Sequence, residues 1–264
     1  MENAKDMKAL EEYALSEENS RIRAEMWSDF VGWDNRRRGK NGFLINRLKE
    51  HNCRKILDIA LGDAIDTIFL IEHGFDVSSN EADSAFRQKA VTNANKAGLS
   101  IKPTSVDWKE LSTVYPENSF DAVICMGNSL TCLFERDNQL KALEQTRSVL
   151  KPEGLLIIDE RNYQRILDNR EAALAGTLHS TGKYLYTGTD KVRARFLEVS
   201  DDVVLVEYNQ IATHKKSYYK IFPFKRGELQ ALLQQAGFSD IQKFSDYSPN
   251  DDQDADFYQY VCIK

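Results

Sequence analysis

The sequence predicts an α/β protein: an open, largely parallel sheet of about seven strands with helices on both faces, an N-terminal helical segment, and an antiparallel β insertion after the fifth strand. Three observations predict it. From Lys55 short apolar runs alternate with longer amphipathic ones, the rhythm of βαβ units. Residues 4–50 are rich in Glu, Lys, Arg, Leu and Ala, and between about Gln164 and Phe224 stretches of alternating polarity follow one another without a helical period.

Taken in chain order, the entry segment carries two helix-like stretches, Met7 to Trp27 and Asn41 to His51, joined by the basic run Asn35 to Lys40. KILDIA, from Lys55, is the first strand. DAIDTIFLIEHG follows as a helix, FDVSSN as the second strand, DSAFRQKAVTNANKAG as a helix and SIKPTS as the third strand. FDAVICMG is the fourth strand, NQLKALEQTRSVLK a helix ended by the turn Pro152 to Gly154, and LLIIDE the fifth strand. KVRARFLEV, DVVLVEYNQIAT and KSYYKIFPF make the antiparallel insertion, with polar turns at Ser200 to Asp202 and His214 to Lys216. A helix from Gly227 to Ala236, stopped by Gly237, leads to a strand near Ser239 to Phe244 and the closing strand ADFYQYVCIK. No repeat or Pro/Gly-rich linker divides the chain, so the boundaries follow the changes of pattern. They give a helical cap over 1–50, a sheet domain over 51–163 and 225–264, and an insertion over 164–224.

Composition excludes several function classes. The chain has 264 residues, and its 35 Lys+Arg against 41 Asp+Glu leave a net charge of −6, which argues against a nucleic-acid partner held through its phosphates. Apolar runs such as Leu155 to Asp159 are far shorter than the roughly 20 residues a bilayer-spanning helix needs, and Met1 opens a polar stretch. The expectation is a soluble, cytoplasmic protein with no membrane partner. Cys53, Cys125, Cys132 and Cys262 form no CxxC pair, and His51, His73, His179 and His214 show no ligand spacing, so no metal is expected.

In a sheet wound in both directions a ligand sits beyond the carboxyl ends of the strands, which puts the loop after the first strand, Leu57 to Thr67, at the centre. A dinucleotide fingerprint needs three glycines there; only Gly62 is present, so an NAD-dependent enzyme is poorly supported. An acid closing the second strand can accept hydrogen bonds from both ribose hydroxyls, and Glu81 stands there, about 20 residues after Gly62.

The run HNCRKILDIALGDAIDTIFLIEHGFDVSSNEAD, Val106 to Trp108, FDAVICMGNSL and GLLIIDERNY together resemble the class I S-adenosylmethionine-dependent methyltransferases, and among them the glycine and sarcosine N-methyltransferases. The resemblance spans roughly residues 20 to 263. FDAVICMGNS and IIDERNY are its specific part. It implies a Rossmann-like methyltransferase sheet, S-adenosylmethionine as cofactor with S-adenosylhomocysteine as product, and no metal. Carried onto this chain, Ala60 and Gly62 lie under the methionine part of the cofactor, Glu81 takes the ribose, and Asp107 and Trp108 bracket the adenine. Met126 and Gly127 offer backbone, Asn128 reaches cofactor and substrate, and Trp27 with one arginine of Arg36 to Arg38, taken as Arg38, lies over the cofactor.

On the substrate side Arg161 directly follows the fifth strand, where a guanidinium suits the carboxylate of a small amino acid. The resemblance puts Tyr208 and Tyr219 near the substrate, and Tyr186 belongs to the same tyrosine-rich insertion. Phe30 stands where the family has a substrate-side tyrosine. Asn128, Arg161, Tyr208 and Tyr219 are therefore the expected catalytic set, and Asn162 and Tyr163 are expected to hold their loop. Two departures stand in the first loop. Asp63 adds a carboxylate beside the cofactor's amino acid moiety, and Ala64 suits a helical start but not a left-handed backbone.

The implied activity is N-methylation of glycine and sarcosine, extending to dimethylglycine, in glycine betaine synthesis or in control of the methyl-donor pool; the short N-terminus and the acidic balance lean to betaine. A methyltransferase for another small amine or acid, and a cofactor-binding protein without catalysis, are the competing readings. The expected assembly is a monomer or homodimer.

Overall fold

The computed structural model describes residues 2–40, 42–181 and 190–264. Its helical entry is more divided than the sequence pattern implies. The stretch reaching Trp27 is two helices, α1 (Glu2–Ala14) and α2 (Glu17–Val31), because Ser16 turns to extended backbone and its hydroxyl caps the second helix at the Asn19 N–H. Gly32, at φ 60°, closes α2. The basic run expected to connect two helices is itself helical, α3 (Trp33–Lys40), with Arg37, Arg38 and Lys40 in its last turn where the helix dipole favours cations. A fourth helix, α4 (Phe43–Glu50), follows.

The alternating region folds as β1 (Lys55–Asp58), α5 (Ile65–Glu72), β2 (Asp76–Ser79), α6 (Ser84–Lys96), β3 (Phe120–Cys125), α7 (Arg136–Val149) and β4 (Leu150–Arg161). The Pro152–Gly154 turn is a bulge inside β4: Phe120 pairs with Leu150, but Ala122 pairs with Leu155. Two short helices, α8 (Tyr163–Asp168) and α9 (Arg170–Leu174), correct the non-helical reading of residues after Gln164. Asn162 caps α8 at the Arg165 N–H, and Ile166 and Ala173 sink into the core at helical spacing. The insertion then runs β5 (Val192–Val199), β6 (Val204–Gln210) and β7 (Lys216–Ile221), before α10 (Glu228–Gln235), β8 (Ser239–Ser245) and β9 (Phe257–Ile263).

The main sheet has the order β2-β1-β3-β4-β9-β8, with β9 antiparallel to both its neighbours and the other pairings parallel. Its six strands replace the expected seven. SIKPTS contributes a single bridge, Thr104 to Asn80, rather than a strand. Pro103 lacks the N–H that a ladder requires, and the run is too polar to be held by burial. The insertion forms a separate antiparallel sheet, β5-β6-β7.

Alternation along β4 builds the core on both faces. Leu156 and Ile158 pack towards Leu143, Leu229 and Leu232; Leu155 and Ile157 pack towards Leu44, Leu48 and Leu70. A third cluster joins α2 to the insertion through Met26, Phe30, Tyr163, Val204 and Tyr208. Because strand order reverses between β1 and β3, their carboxyl ends open a crevice, and α1, α2 and β7 stand over it.

Candidate functional site

The crevice is a cavity of about 380 Å³. Its floor is the loop after β1. Asp58 ends that strand with its carboxylate buried, accepting from the Thr67 hydroxyl at 2.8 Å and the Ala60 N–H at 3.1 Å. Desolvation lifts this carboxyl to about 6, with Asp66 adding to the rise. Gly62 turns at φ 56° and donates its N–H to Glu81 Oε2 at 2.8 Å, which ties the loop after β1 to the loop after β2. Glu81 Oε1 accepts from the Asp83 N–H at 3.0 Å, and burial raises the carboxyl to about 7 against these two hydrogen bonds. Both oxygens keep further acceptor capacity for a ligand's hydroxyls.

The two departures in the first loop have structural answers. Asp63 gives Oδ2 to the Ser28 hydroxyl at 2.9 Å and to the Trp33 indole N–H at 2.7 Å, so its carboxylate anchors α2 and α3 to the loop. Ala64 adopts φ 73°, ψ 15°, the left-handed backbone that the sequence reading denied to alanine. Its methyl is fully buried against Leu61, Ile68, Ala90 and Ala94, and this packing offsets the strain.

Trp108 forms one side wall. Its indole N–H donates to the Ile59 carbonyl at 2.6 Å, which fixes the ring plane. Its neighbour Asp107 caps the following 3-10 turn at the Lys109 N–H and is exposed at the cavity's edge. Met126 and Gly127, after β3, form the inner wall. Trp27 closes the cavity from α2, its ring 5.7 Å from Phe86 and 5.8 Å from Tyr208. Of the three consecutive arginines, Arg36 lines the cavity, where it and Lys40 both bind Asp66. Burial alone would raise Asp66, but the two cations hold it down at about 2, while desolvation and Arg36 push Lys40 down to about 8. Arg38 points to solvent and bonds Asn35, which corrects its assignment to the cavity.

Thus Trp27, Ala60, Gly62, Glu81, Asp107, Trp108, Met126 and Tyr219 line one cavity. Four other expected residues do not line it. Phe30 packs on Tyr208 at 4.6 Å between ring centres. Asn128, at φ 64°, is buried with every polar group engaged: its N–H donates to Asp159 Oδ1 at 2.6 Å, and its side-chain amide donates to Thr131 and to the Tyr163 hydroxyl. Its side-chain carbonyl accepts from the Arg161 N–H at 2.9 Å. Arg161 lines a second, smaller cavity, its guanidinium 5.9 Å from the Phe196 ring centre and 5.6 Å from that of Phe257. It makes no ion pair among the described residues. Tyr186 lies outside the described residues.

Sequence reasoning missed three groups at the cavity. Arg23 stacks 4.8 Å from the Tyr219 ring centre and 5.6 Å from that of Phe86. Cys132 meets the Tyr219 hydroxyl at 2.9 Å, and Asp83 binds Ser20 of α2. The amphipathic phase of α2 could have signalled Arg23 and Ser20; only the fold brings Cys132 to β7. Among the described residues no His/Cys/Asp/Glu group could hold a metal ion, and no helix is long and apolar enough to cross a membrane.

Residues 56–154 match the family model described as a methyltransferase domain. The chain is 35% identical to the glycine/sarcosine N-methyltransferase of Aphanothece halophytica over 91% of its own length and 87% of that protein's. It is 32% identical to the enzyme of the same name from Halorhodospira halochloris, over 91% and 86%. Among solved structures, an S-adenosylmethionine-dependent methyltransferase from Clostridium acetobutylicum superposes with a TM-score of 0.70 at 17% identity, covering 91% of this chain and 96% of that one, which shows the shared fold.

Proposed function

The chain belongs to the glycine/sarcosine N-methyltransferase family of S-adenosylmethionine-dependent methyltransferases, and from that premise we propose that it methylates the amino nitrogen of glycine and of sarcosine. S-adenosylmethionine, when bound, supplies a methyl group on a positively charged sulfur that an amine lone pair can displace. The residues of the cavity suit it. Glu81 has the acceptor capacity for a ribose diol, Trp108 presents an immobilised aromatic face for a base, and Arg36 brings a cation to the end that would receive an amino acid's carboxylate.

The observation that carries the substrate reading is Arg161. A guanidinium with no acidic partner among the described residues, flanked by two aromatic rings at the end of β4, is suited to bidentate binding of a carboxylate. Asn128 holds its backbone N–H, and the Tyr163 hydroxyl in turn accepts from the Asn128 amide, so the chain's contribution is alignment of acceptor and donor. The amine must be neutral to attack, and an ammonium of this kind titrates at about 10, near lysine. Turnover therefore rises with pH above neutrality. A cofactor-binding protein without catalysis would rest on Asp63 and Ala64, and the fold accommodates both: Asp63 is occupied by Ser28 and Trp33, and Ala64 takes the left-handed backbone at the start of α5.

Mass spectrometry of the products from glycine, sarcosine, dimethylglycine and ethanolamine tests the proposal. Transfer to glycine and sarcosine but not to ethanolamine is expected. Trimethylated product would set the enzyme in glycine betaine synthesis, the setting we infer. Arg161→Ala should raise the KM for sarcosine by roughly 10–100-fold, the loss of a charge-assisted pair; an unchanged KM would refute the carboxylate anchor.

A further inference from the structure

Tyr163 is 1% exposed, and its hydroxyl oxygen accepts the Asn128 side-chain amide at 2.6 Å. A phenol has one proton to donate as well, and no acceptor for that proton exists among the described residues. Leaving a buried donor unsatisfied is costly and rare in folded proteins, so such a group calls for a ligand. The same Asn128 side chain accepts from the Arg161 N–H at 2.9 Å, so one planar amide sets the phenol and the Arg161 backbone at a fixed separation. Around the phenol the charged and titratable neighbours include Arg161, Tyr208, Cys132 and Tyr219, the last two of which line the cofactor cavity. Burial raises the phenol's pKa well above its ordinary value, so it keeps its proton and remains a donor.

Resting on the reading of the protein as an amino-acid N-methyltransferase, we propose that the Tyr163 hydroxyl donates a hydrogen bond to the substrate carboxylate, sharing that group with the Arg161 guanidinium. The alternative target on the substrate, its amine, is excluded by the reaction. An O–H aimed at the amine nitrogen would occupy the lone pair that must attack. Acceptance from Asn128 polarises the phenol and strengthens its donation. Asn128, with its amide fully used, is then a positioning residue that holds both carboxylate donors, rather than a substrate contact.

Acetate, a carboxylate without an amine, is the probe. Calorimetry on the protein saturated with S-adenosylhomocysteine should show Tyr163→Phe weakening acetate about tenfold while the affinity for S-adenosylhomocysteine stays unchanged. The KM for sarcosine should rise in step, with a smaller change in kcat. An unchanged acetate affinity, no acetate binding to the wild type, or a parallel loss of S-adenosylhomocysteine binding would overturn the proposal. A crystal structure of the wild type with acetate and S-adenosylhomocysteine needs no folded variant: it should place a carboxylate oxygen about 2.6 Å from the Tyr163 oxygen, whereas a carboxylate touching Arg161 alone refutes it. Failure of the underlying reading is separate, because it would appear as a wild type that binds acetate but methylates neither glycine nor sarcosine.

Discussion

At Glu81 a single carboxyl joins two loops and faces the cavity, and its elevated pKa of about 7 gives ligand binding a pH dependence. Hydroxyls of a ribose bind the carboxylate better than the neutral acid. The affinity for S-adenosylmethionine should thus fall as pH drops below about 7, approaching tenfold per unit, and Glu81→Gln should bind weakly with that dependence removed; titration calorimetry at pH 6 and 8 checks both. Ala64 offers a second comparison. It carries a methyl at φ 73°, so Ala64→Gly relieves a left-handed strain of about 1 kcal/mol that offsets the lost burial, whereas Ala90→Gly inside α6 loses burial and helix propensity together, about 1–2 kcal/mol. Denaturant melts should rank Ala90→Gly as clearly the less stable. At this scale the sequence was legible where spacing fixes position, as at Glu81 just past the end of β2, whereas Trp108 was reached through the family resemblance; the fold brings both to one cavity. It was not legible in the run Arg36 to Arg38, because each helical step turns a side chain by about 100° and three identical residues carry no signal of phase. Nor could it reveal that Asn128 spends its whole side chain on Thr131, Tyr163 and Arg161.

Among the elements, α2 holds the cavity's roof to the insertion, and Asn19 is its fastening. This fully buried side chain donates to the Ala14 and Tyr218 carbonyls and accepts from the Tyr218 N–H at 2.7 Å. Asn19→Ala leaves those backbone groups without partners, so a loss of about 2–4 kcal/mol is expected. In a chain of this size that is a melting temperature lower by roughly 5–15 °C. Because α2 also carries Trp27 and Ser20, the affinity for S-adenosylmethionine should weaken in the same variant, and calorimetry alongside the melt tests the link. The central strands β1, β3, β4 and β9 were readable because each carries an apolar run, and β5 to β7 because their alternation repeats. SIKPTS was misread because apolar spacing says nothing about whether Pro103 leaves enough N–H donors for a ladder. Helices α8 and α9 hid inside a β-rich stretch since each spans too few residues to show a helical period.

For the molecule as a whole, the buried carboxyls set opposing pH demands on folding and on binding. Burial raises Glu160 to about 8, Glu81 to about 7 and Asp58 to about 6, so the folded chain keeps protons that the unfolded chain releases near pH 4. Where the folded state binds more protons, stability falls as pH rises; the cofactor-free protein should therefore lose melting temperature between pH 5 and 8. Asp66 works in the other sense. Held down at about 2 by Arg36 and Lys40, it stabilises the fold above about pH 4, and that contribution is lost only as pH falls towards 2. Lys40, titrating near 8 in the fold and near 10.5 when unfolded, adds no slope below pH 7. Glu160 is the cleanest handle, since it lies on the core side of β4 with one oxygen bonded to Tyr260 and the other lacking a partner among the described residues, and it does not line the cavity. Glu160→Gln should flatten the decline between pH 5 and 8 without altering affinity for S-adenosylmethionine. Binding runs the opposite way: the Glu81 carboxylate that weakens the empty fold is the form a ribose diol favours. The rise in melting temperature produced by saturating S-adenosylmethionine should consequently be larger at pH 8 than at pH 6 in the wild type and equal at both in Glu81→Gln. Equal rises in the wild type would mean that Glu81 is already ionised at pH 6, and that its burial in the fold is offset by the N–H groups of Gly62 and Asp83.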